Sequence, residues 1–142
     1  MPDAAETPVP AGFERHFRRS PLTDPWEPLY SRRTLEVVVI GLRLAEAHTN
    51  SRGLAHGGLI AALADNAMGL SCGARLGAAA AGLLTVNLSV DYLGRAAIGQ
   101  WLEFRTSFVK TGRALCFAQS FVVADEEVIA RASATFRVQP KS

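Results

Sequence analysis

The chain has 142 residues, of which 49% are hydrophobic and 20% charged, and its net charge is +2. That length suits one domain with a sizeable core, and the balance is that of a folded chain rather than a disordered one. So small a net charge leaves no footprint for nucleic acid, and no apolar tract runs the ~20 residues a membrane helix needs.

Residues 1–12 are rich in proline and alanine and are expected to form a frayed arm. Phe13 to Arg19 alternates aromatic and basic residues and suggests a short helix. The stretch SPLTDPWEPL, residues 20–29, carries three prolines and is expected to be a loop that packs Trp26 and Leu29. Residues 1–34 thus read as an arm with a proline-rich loop, and 35–142 as the folded domain.

Leu35 to Ala45 is β-branched and apolar, which predicts a strand. HTNSRGLAHGG is a polar, glycine-bearing loop, and a helix is predicted from about Gly57 to Arg75. GAAAAG, residues 77–82, reads as a weak linker. Four strand-like segments follow. Leu84 to Tyr92 alternates: Leu84, Val86, Leu88, Val90 and Tyr92 are expected on one face, with Thr85, Asn87, Ser89 and Asp91 on the other. Trp101 to Lys110 and Ala114 to Ala124 are predicted to meet at the turn KTGR, with Gly112 at positive φ. After the turn ADEE, Val128 to Val138 is expected to place Val128, Ala130, Ala132, Ala134 and Phe136 on one face. Trp101, Phe104, Phe108, Phe117 and Phe121 are assigned to the sheet core or to the lining of a substrate tunnel.

One long helix and strands with short connections predict an α+β fold in which an antiparallel sheet wraps a central helix. The helix is apolar nearly all round, with Asp65 and Asn66 as exceptions. A helix of that kind is buried. The sheet would cover one side of it, and a second copy of the chain the other.

Asp65 sits where a carboxylate costs free energy unless it is solvated or paired. One reading is a solvated or capping acid. The other is a catalytic carboxylate in a cleft. The run His56-Gly57-Gly58 opens the same helix, and free N–H groups at a helix start hold a developing oxyanion. Gly57 and Asp65 are eight residues apart, about 12 Å along a helix axis. They cannot serve one carbonyl from one helix. Two antiparallel helices solve this, so a site of this kind lies at a dimer interface, twice per dimer.

Asn50, His56, Gly57, Gly58 and Asp65, with LLTVNLSVDYL, KTGR and IARASATFRV, resemble the hot-dog fold acyl-CoA thioesterases of the PaaI type, from about Leu35 to Val138. The resemblance implies the hot-dog fold and hydrolysis of an acyl- or aroyl-CoA to free coenzyme A and a carboxylic acid. By the same resemblance, Asp65 is general base or nucleophile and the Gly57 N–H polarises the thioester carbonyl. Asn50 and His56 line the site, Thr85 lies near the attacking water, and Gly58 belongs to the substrate-binding helix start. Many relatives have YLRPA where this chain has YLGRA, residues 92–96, with the arginine displaced by one position. Arg95, Lys110 and Arg113 are the candidates for the coenzyme A phosphates.

No metal or redox cofactor is implied, because coenzyme A is part of the substrate. The partners implied are the acyl-CoA and a second copy of the chain, as a dimer or a dimer of dimers, with neither nucleic acid nor membrane. Cys72 and Cys116 lack a CxxC-type spacing and fit a reduced interior, and the N-terminus shows no secretory pattern. A cytoplasmic location is therefore expected. The competing function is an acyl-CoA-binding hot-dog module without catalysis. His16, His48 and His56 have no metal-ligand spacing, and Ser71 and Cys72, with no adjacent base, read as packing residues. The basic runs RHFRRS and SRR read as a solvated surface or as a guide for an anionic cofactor.

Overall fold

A computed structural model describes residues 8–77 and 80–140 of the chain. Its strands are β1 (Glu14–Arg15), β2 (Tyr30–Arg33), β3 (Val38–Arg43), β4 (Ala80–Tyr92), β5 (Trp101–Thr111), β6 (Leu115–Ala124) and β7 (Glu127–Pro140). The helix α1 spans Gly57–Leu76, and short 3-10 turns occupy Asp24–Trp26 and Glu46–His48. The strands form one antiparallel sheet in the order β1-β2-β3-β5-β6-β7-β4. This is the expected hot-dog architecture.

The sheet closes on one side of α1. Leu59, Ile60, Leu63, Ala64, Ala67, Met68, Ser71 and Cys72 are buried against it. Ala61, Ala62, Asp65, Asn66, Gly69, Leu70 and Gly73 form a second stripe that this chain leaves half-covered. Met68 and Cys72 belong to the sheet-facing stripe. Ser71 has the packing role expected of it. Its Oγ accepts from Val38 N–H at 2.9 Å and donates to the Ala67 carbonyl at 2.7 Å, tying α1 to β3.

The N-terminal region differs from expectation. Phe13 to Arg19 forms no helix. Glu14 and Arg15 pair with Ser31 and Tyr30, which extends the sheet through β2. The strand read over Leu35–Ala45 is confined to β3, and residues 34–37 form the turn that joins it to β2. Thr34 Oγ1 accepts from the N–H groups of Glu36 and Val37, and Leu35 projects into solvent at 93% exposure. Such local side-chain bonding turns the chain where apolarity alone suggested continuity. Trp26 and Leu29 do pack on the core. Phe13 and Trp101 meet edge to face at 5.2 Å over β3, where Gly41 has no side chain; a Cβ there would stand 2.5 Å from Trp101 and 2.9 Å from Phe13. The expected frayed arm lies outside the described residues as far as residue 7, as does the linker at 78 and 79.

Breaks in register move side chains between faces, among them one in β4, one in β5 that turns Phe108 outward, and one in β7. Thr85 pairs with Phe136 and Asn87 with Thr135, so Val86 is an extra residue in β4. A bulge of this kind reverses the alternation. Leu88 and Val90 then pack on the core, whereas Leu84 and Val86 are exposed. The single apolar face expected for β4 is therefore split at Val86, and Thr85 shares the inner side with Leu88. In β7 a slip sets Val122 opposite Ala130 and Val123 opposite Val128. Val128 accordingly faces out at 43% exposure, and Ile129 and Ala130 face in.

Trp101 and Phe104 are core residues, but Phe108, Phe117 and Phe121 are exposed. Phe117 and Phe121 lie on the outward-pointing positions of β6, whose burial alternates residue by residue. Gly112 closes its hairpin without a positive φ. It is glycine for space, since a Cβ would stand 2.8 Å from the Leu115 carbonyl oxygen. The positive φ values fall at Asp125 and Glu126, between β6 and β7.

Candidate active site

The helix start is built by the loop before it. Asn50 Oδ1 accepts from the N–H groups of Arg52 at 2.9 Å and Leu54 at 3.2 Å, which folds residues 50–54 into a tight turn. Both bonds use the carbonyl oxygen, so the Asn50 amide nitrogen is left to donate elsewhere. His56 is the N-cap. Its Nδ1 accepts from Gly58 N–H at 2.8 Å. Gly58 is required by that cap, because a Cβ would press on the imidazole at 3.0 Å. The cap leaves the first N–H of the helix, that of Gly57, without a helical acceptor.

Tyr92 was not singled out from the sequence. Its hydroxyl donates to the Gly57 carbonyl at 2.6 Å, which anchors the helix start to the end of β4. An aromatic residue closing an alternating strand reads only as packing, and nothing local signalled this bond. His48 also proves structural. It is buried, Nδ1 accepts from Ala45 N–H, Nε2 donates to the Trp26 carbonyl, and burial lowers its pKa against the opposing effect of that carbonyl.

Two turns further along α1, Asp65 is half-buried. Its Oδ1 accepts from Thr85 Oγ1 at 2.8 Å. Burial raises its pKa above the ordinary carboxylate value, and the Thr85 bond opposes this. Both side chains stand on the wall of a cavity of about 1210 Å3, alongside Asn66, Gly69, Leu70 and Gly73 from the half-covered stripe of α1.

The expected site residues thus fall into two groups within one chain. Asn50, His56, Gly57 and Gly58 gather at the start of α1, and Asp65 and Thr85 meet at its middle. Gly57 and Asp65, the members of the two groups on the unbroken helix α1, are separated by about 12 Å along its axis. The basic candidates divide as well. Residues 94–97 lie against the segment ahead of α1, through Ala55 N–H to the Ala96 carbonyl and the bridge of Leu54 with Ala97. Arg95 therefore stands near the helix start, beside a hollow of about 540 Å3. Lys110 and Arg113 flank the β5–β6 turn at the other end of α1, where Arg75 donates to the Val109 carbonyl. A helix of 20 residues separates them by roughly 30 Å.

Among the described residues no group of three or more His, Cys, Asp or Glu side chains is arranged to hold a metal ion. No helix among the described residues is long and apolar enough to cross a membrane. Cys72 and Cys116 are free and buried, and burial with the neighbouring Cys116 thiol pushes Cys72 up to about 12, which leaves it inert as a nucleophile.

Residues 52–136 match the thioesterase superfamily. A Pseudomonas aeruginosa protein named as an esterase is 37% identical over 131 residues, which cover 92% of this chain and 97% of that protein. Acyl-coenzyme A thioesterase 13 of Mus musculus is 34% identical over 85 residues, 58% of each chain. Among solved structures, a variant of the phenylacetic acid degradation protein PaaI from Thermus thermophilus superposes with a TM-score of 0.72 at 23% identity, covering 83% of this chain and 98% of that one. The sequence match spans the helix start, the Asp65–Thr85 pair and strands β4 to β7, and the architecture agrees with it. The chain belongs to the thioesterase superfamily and is a thioester hydrolase of the hot-dog fold.

Proposed function

We propose that the chain hydrolyses an acyl-coenzyme A at a site assembled from two copies of itself. The observation that carries this reading is the half-buried Asp65 carboxylate, bonded to Thr85 on a cavity wall. A raised pKa makes a carboxylate a better proton acceptor at neutral pH. Asp65 either takes a proton from water or attacks the thioester carbonyl itself. Thr85 orients it and lies where the water would enter.

The oxyanion donor in this reading is the Gly57 N–H of the partner. Two features support a second copy. The half-covered stripe of α1 is apolar and small apart from Asp65 and Asn66. β4 is the last strand of the sheet, with an unpaired edge along its length, and such an edge is a template for another strand. An antiparallel meeting of the helices sets Asp65 of one chain opposite the helix start of the other. His56 shapes that start and Asn50 offers its amide nitrogen to the substrate. The same arrangement brings Arg95 of one chain towards the Lys110 and Arg113 end of the other, so both remain candidates for the coenzyme A phosphates. The acyl-CoA assignment is also supported by the name of the mouse relative.

The test is thiol release from phenylacetyl-, benzoyl-, hexanoyl- and palmitoyl-CoA by the wild-type chain and Asp65→Asn. Loss of a general acid–base group costs about 10²- to 10⁴-fold, and a fall of that size with the assembly intact is expected. Undiminished turnover in Asp65→Asn would remove the mechanism.

A further inference from the structure

The cavity beside Asp65 has a second wall that the sequence resemblance does not reach. It is formed by the N-terminal segment, with Arg15, His16, Phe17, Arg18, Arg19 and Arg33 among its lining residues. The four guanidiniums differ in what they meet. Arg15 pairs with Glu27 at 3.3 Å, and Arg19 with Asp24 at 3.1 Å. Arg18 and Arg33 meet no carboxylate among the described residues.

Arg33 lies over the Phe17 ring at 4.2 Å. That contact fixes the guanidinium plane and leaves its N–H fork free to donate. His16, on the same wall, has an Nδ1 shut off from solvent without a hydrogen-bond partner. Burial is the largest influence lowering the His16 pKa; Glu27 opposes it, and Arg33 and Arg18 add to it. Arg18 and Arg33 line the same cavity as His16. Two unneutralised cations in a concave wall attract an anion, and their forks match a carboxylate or a phosphate.

We propose that this cavity receives an anionic group of the thioester substrate and that Arg18 and Arg33 hold it. The inference rests on the acyl-CoA reading of Asp65 and names the chemistry of the substrate at the far end of that cavity. Leu70, Val38 and Phe136 supply apolar wall between the two ends, and Gly73 leaves its floor open, with no atom within 4 Å of a hypothetical Cβ. Two parts of an acyl-CoA carry the required charge: a carboxylate on the acyl group and the phosphates of coenzyme A.

The experiment compares hexanoyl and adipoyl thioesters, each on coenzyme A and on N-acetylcysteamine, which has no phosphate. The wild-type chain, Arg18→Gln, Arg33→Gln and the double variant are measured, with Arg137→Gln on the exposed face of β7 as control. If the anion is the acyl carboxylate, the preference for adipoyl over hexanoyl falls ~10-fold in the double variant on both carriers, the loss of about 1.4 kcal/mol of charge-assisted binding. If the anion is a phosphate, the preference for coenzyme A over N-acetylcysteamine falls by a similar factor for both acyl groups.

Titration calorimetry with the hexanoyl and adipoyl thioesters of coenzyme A and of N-acetylcysteamine on an Asp65→Asn background gives the same ratios as dissociation constants without turnover. Should Asp65→Asn remain active, the catalytic reading fails while the turnover ratios of the arginine variants still decide this proposal. Arginine variants that match Arg137→Gln in every ratio, by turnover and by calorimetry, overturn it.

Discussion

Thr85 Oγ1 donates to Asp65 Oδ1 at 2.8 Å, joining the edge strand of the sheet to the middle of the helix across 20 residues of sequence. The bond exists because of the bulge at Val86, which turns Thr85 inward beside Leu88. Without that extra residue the strict alternation of β4 would place Thr85 and Leu88 on opposite faces.

In the proposed mechanism the bond sets the acid limb of the pH profile, because Asp65 acts there in its carboxylate form. Burial raises its pKa and the Thr85 hydroxyl lowers it. Thr85→Ala removes the lowering influence, so the acid limb of kcat/KM moves to higher pH, and Thr85→Ser restores it. A limb that stays in place in Thr85→Ala would show that the hydroxyl does not act through Asp65.

The same carboxylate affects stability with a defined sign. Its pKa in the folded chain lies above the ordinary 3.8, so the folded state binds more protons in the interval between the two values. The stability this provides is fully present below 3.8 and is lost as pH rises through the folded value. At pH ~7 the charged form opposes folding, and Asp65→Asn is expected to have the higher Tm. Thermal unfolding across pH checks this: the advantage of the variant shrinks as acid protonates Asp65. An unchanged Tm difference across that range contradicts a raised pKa.

Gly57 allows its N–H to be removed without breaking the helix. Proline is favoured at the first helical position, and the preceding residue, His56, already has φ −70° and ψ 132°, the extended conformation that a following proline requires. Gly57→Ala keeps the N–H and adds the same Cβ, which meets Tyr92 at 3.4 Å in either variant. Relative to Gly57→Ala, Gly57→Pro is expected to lose about 10²- to 10³-fold in kcat, the worth of one oxyanion donor. Co-expression of Gly57→Pro with Asp65→Asn then reports where the two groups act. Sites shared between chains regain roughly a quarter of wild-type activity in a random mixture of dimers. Sites confined to one chain regain none.

Gly41 tests how the N-terminal segment is attached. A Cβ at this position collides with both Trp101 and Phe13, and overpacking of this kind costs ~1–3 kcal/mol. Gly41→Ala should lower the unfolding free energy by that amount, read from the shift of the denaturation midpoint at unchanged m, and raise proteolysis between residues 13 and 33. A fully stable variant with a protected N-terminal segment would mean that the rings move aside freely.

The sequence by itself determined the long helix, the four strands after it and the acid–glycine pattern on the helix, because these are local; that the first of those strands pairs with the last was not legible. Periodicity over Gly57–Leu76, turn residues between strands, and the eight-residue interval from Gly57 to Asp65 are all carried by near neighbours. That interval alone implies that two chains must meet if both groups serve one carbonyl. What only the tertiary structure decided depends on residues far apart. The bulge at Val86 is set by pairing with β7 and inverts the faces of β4. Tyr92 reaches Gly57 from 35 residues away. The arginines of the N-terminal segment read in sequence as a solvated surface or a guide for an anionic cofactor, and nothing there shows that β1 and β2 join the sheet. Antiparallel pairing with β3 folds them over the cavity that holds Asp65, since backbone pairing is nearly indifferent to the side chains that ride on it.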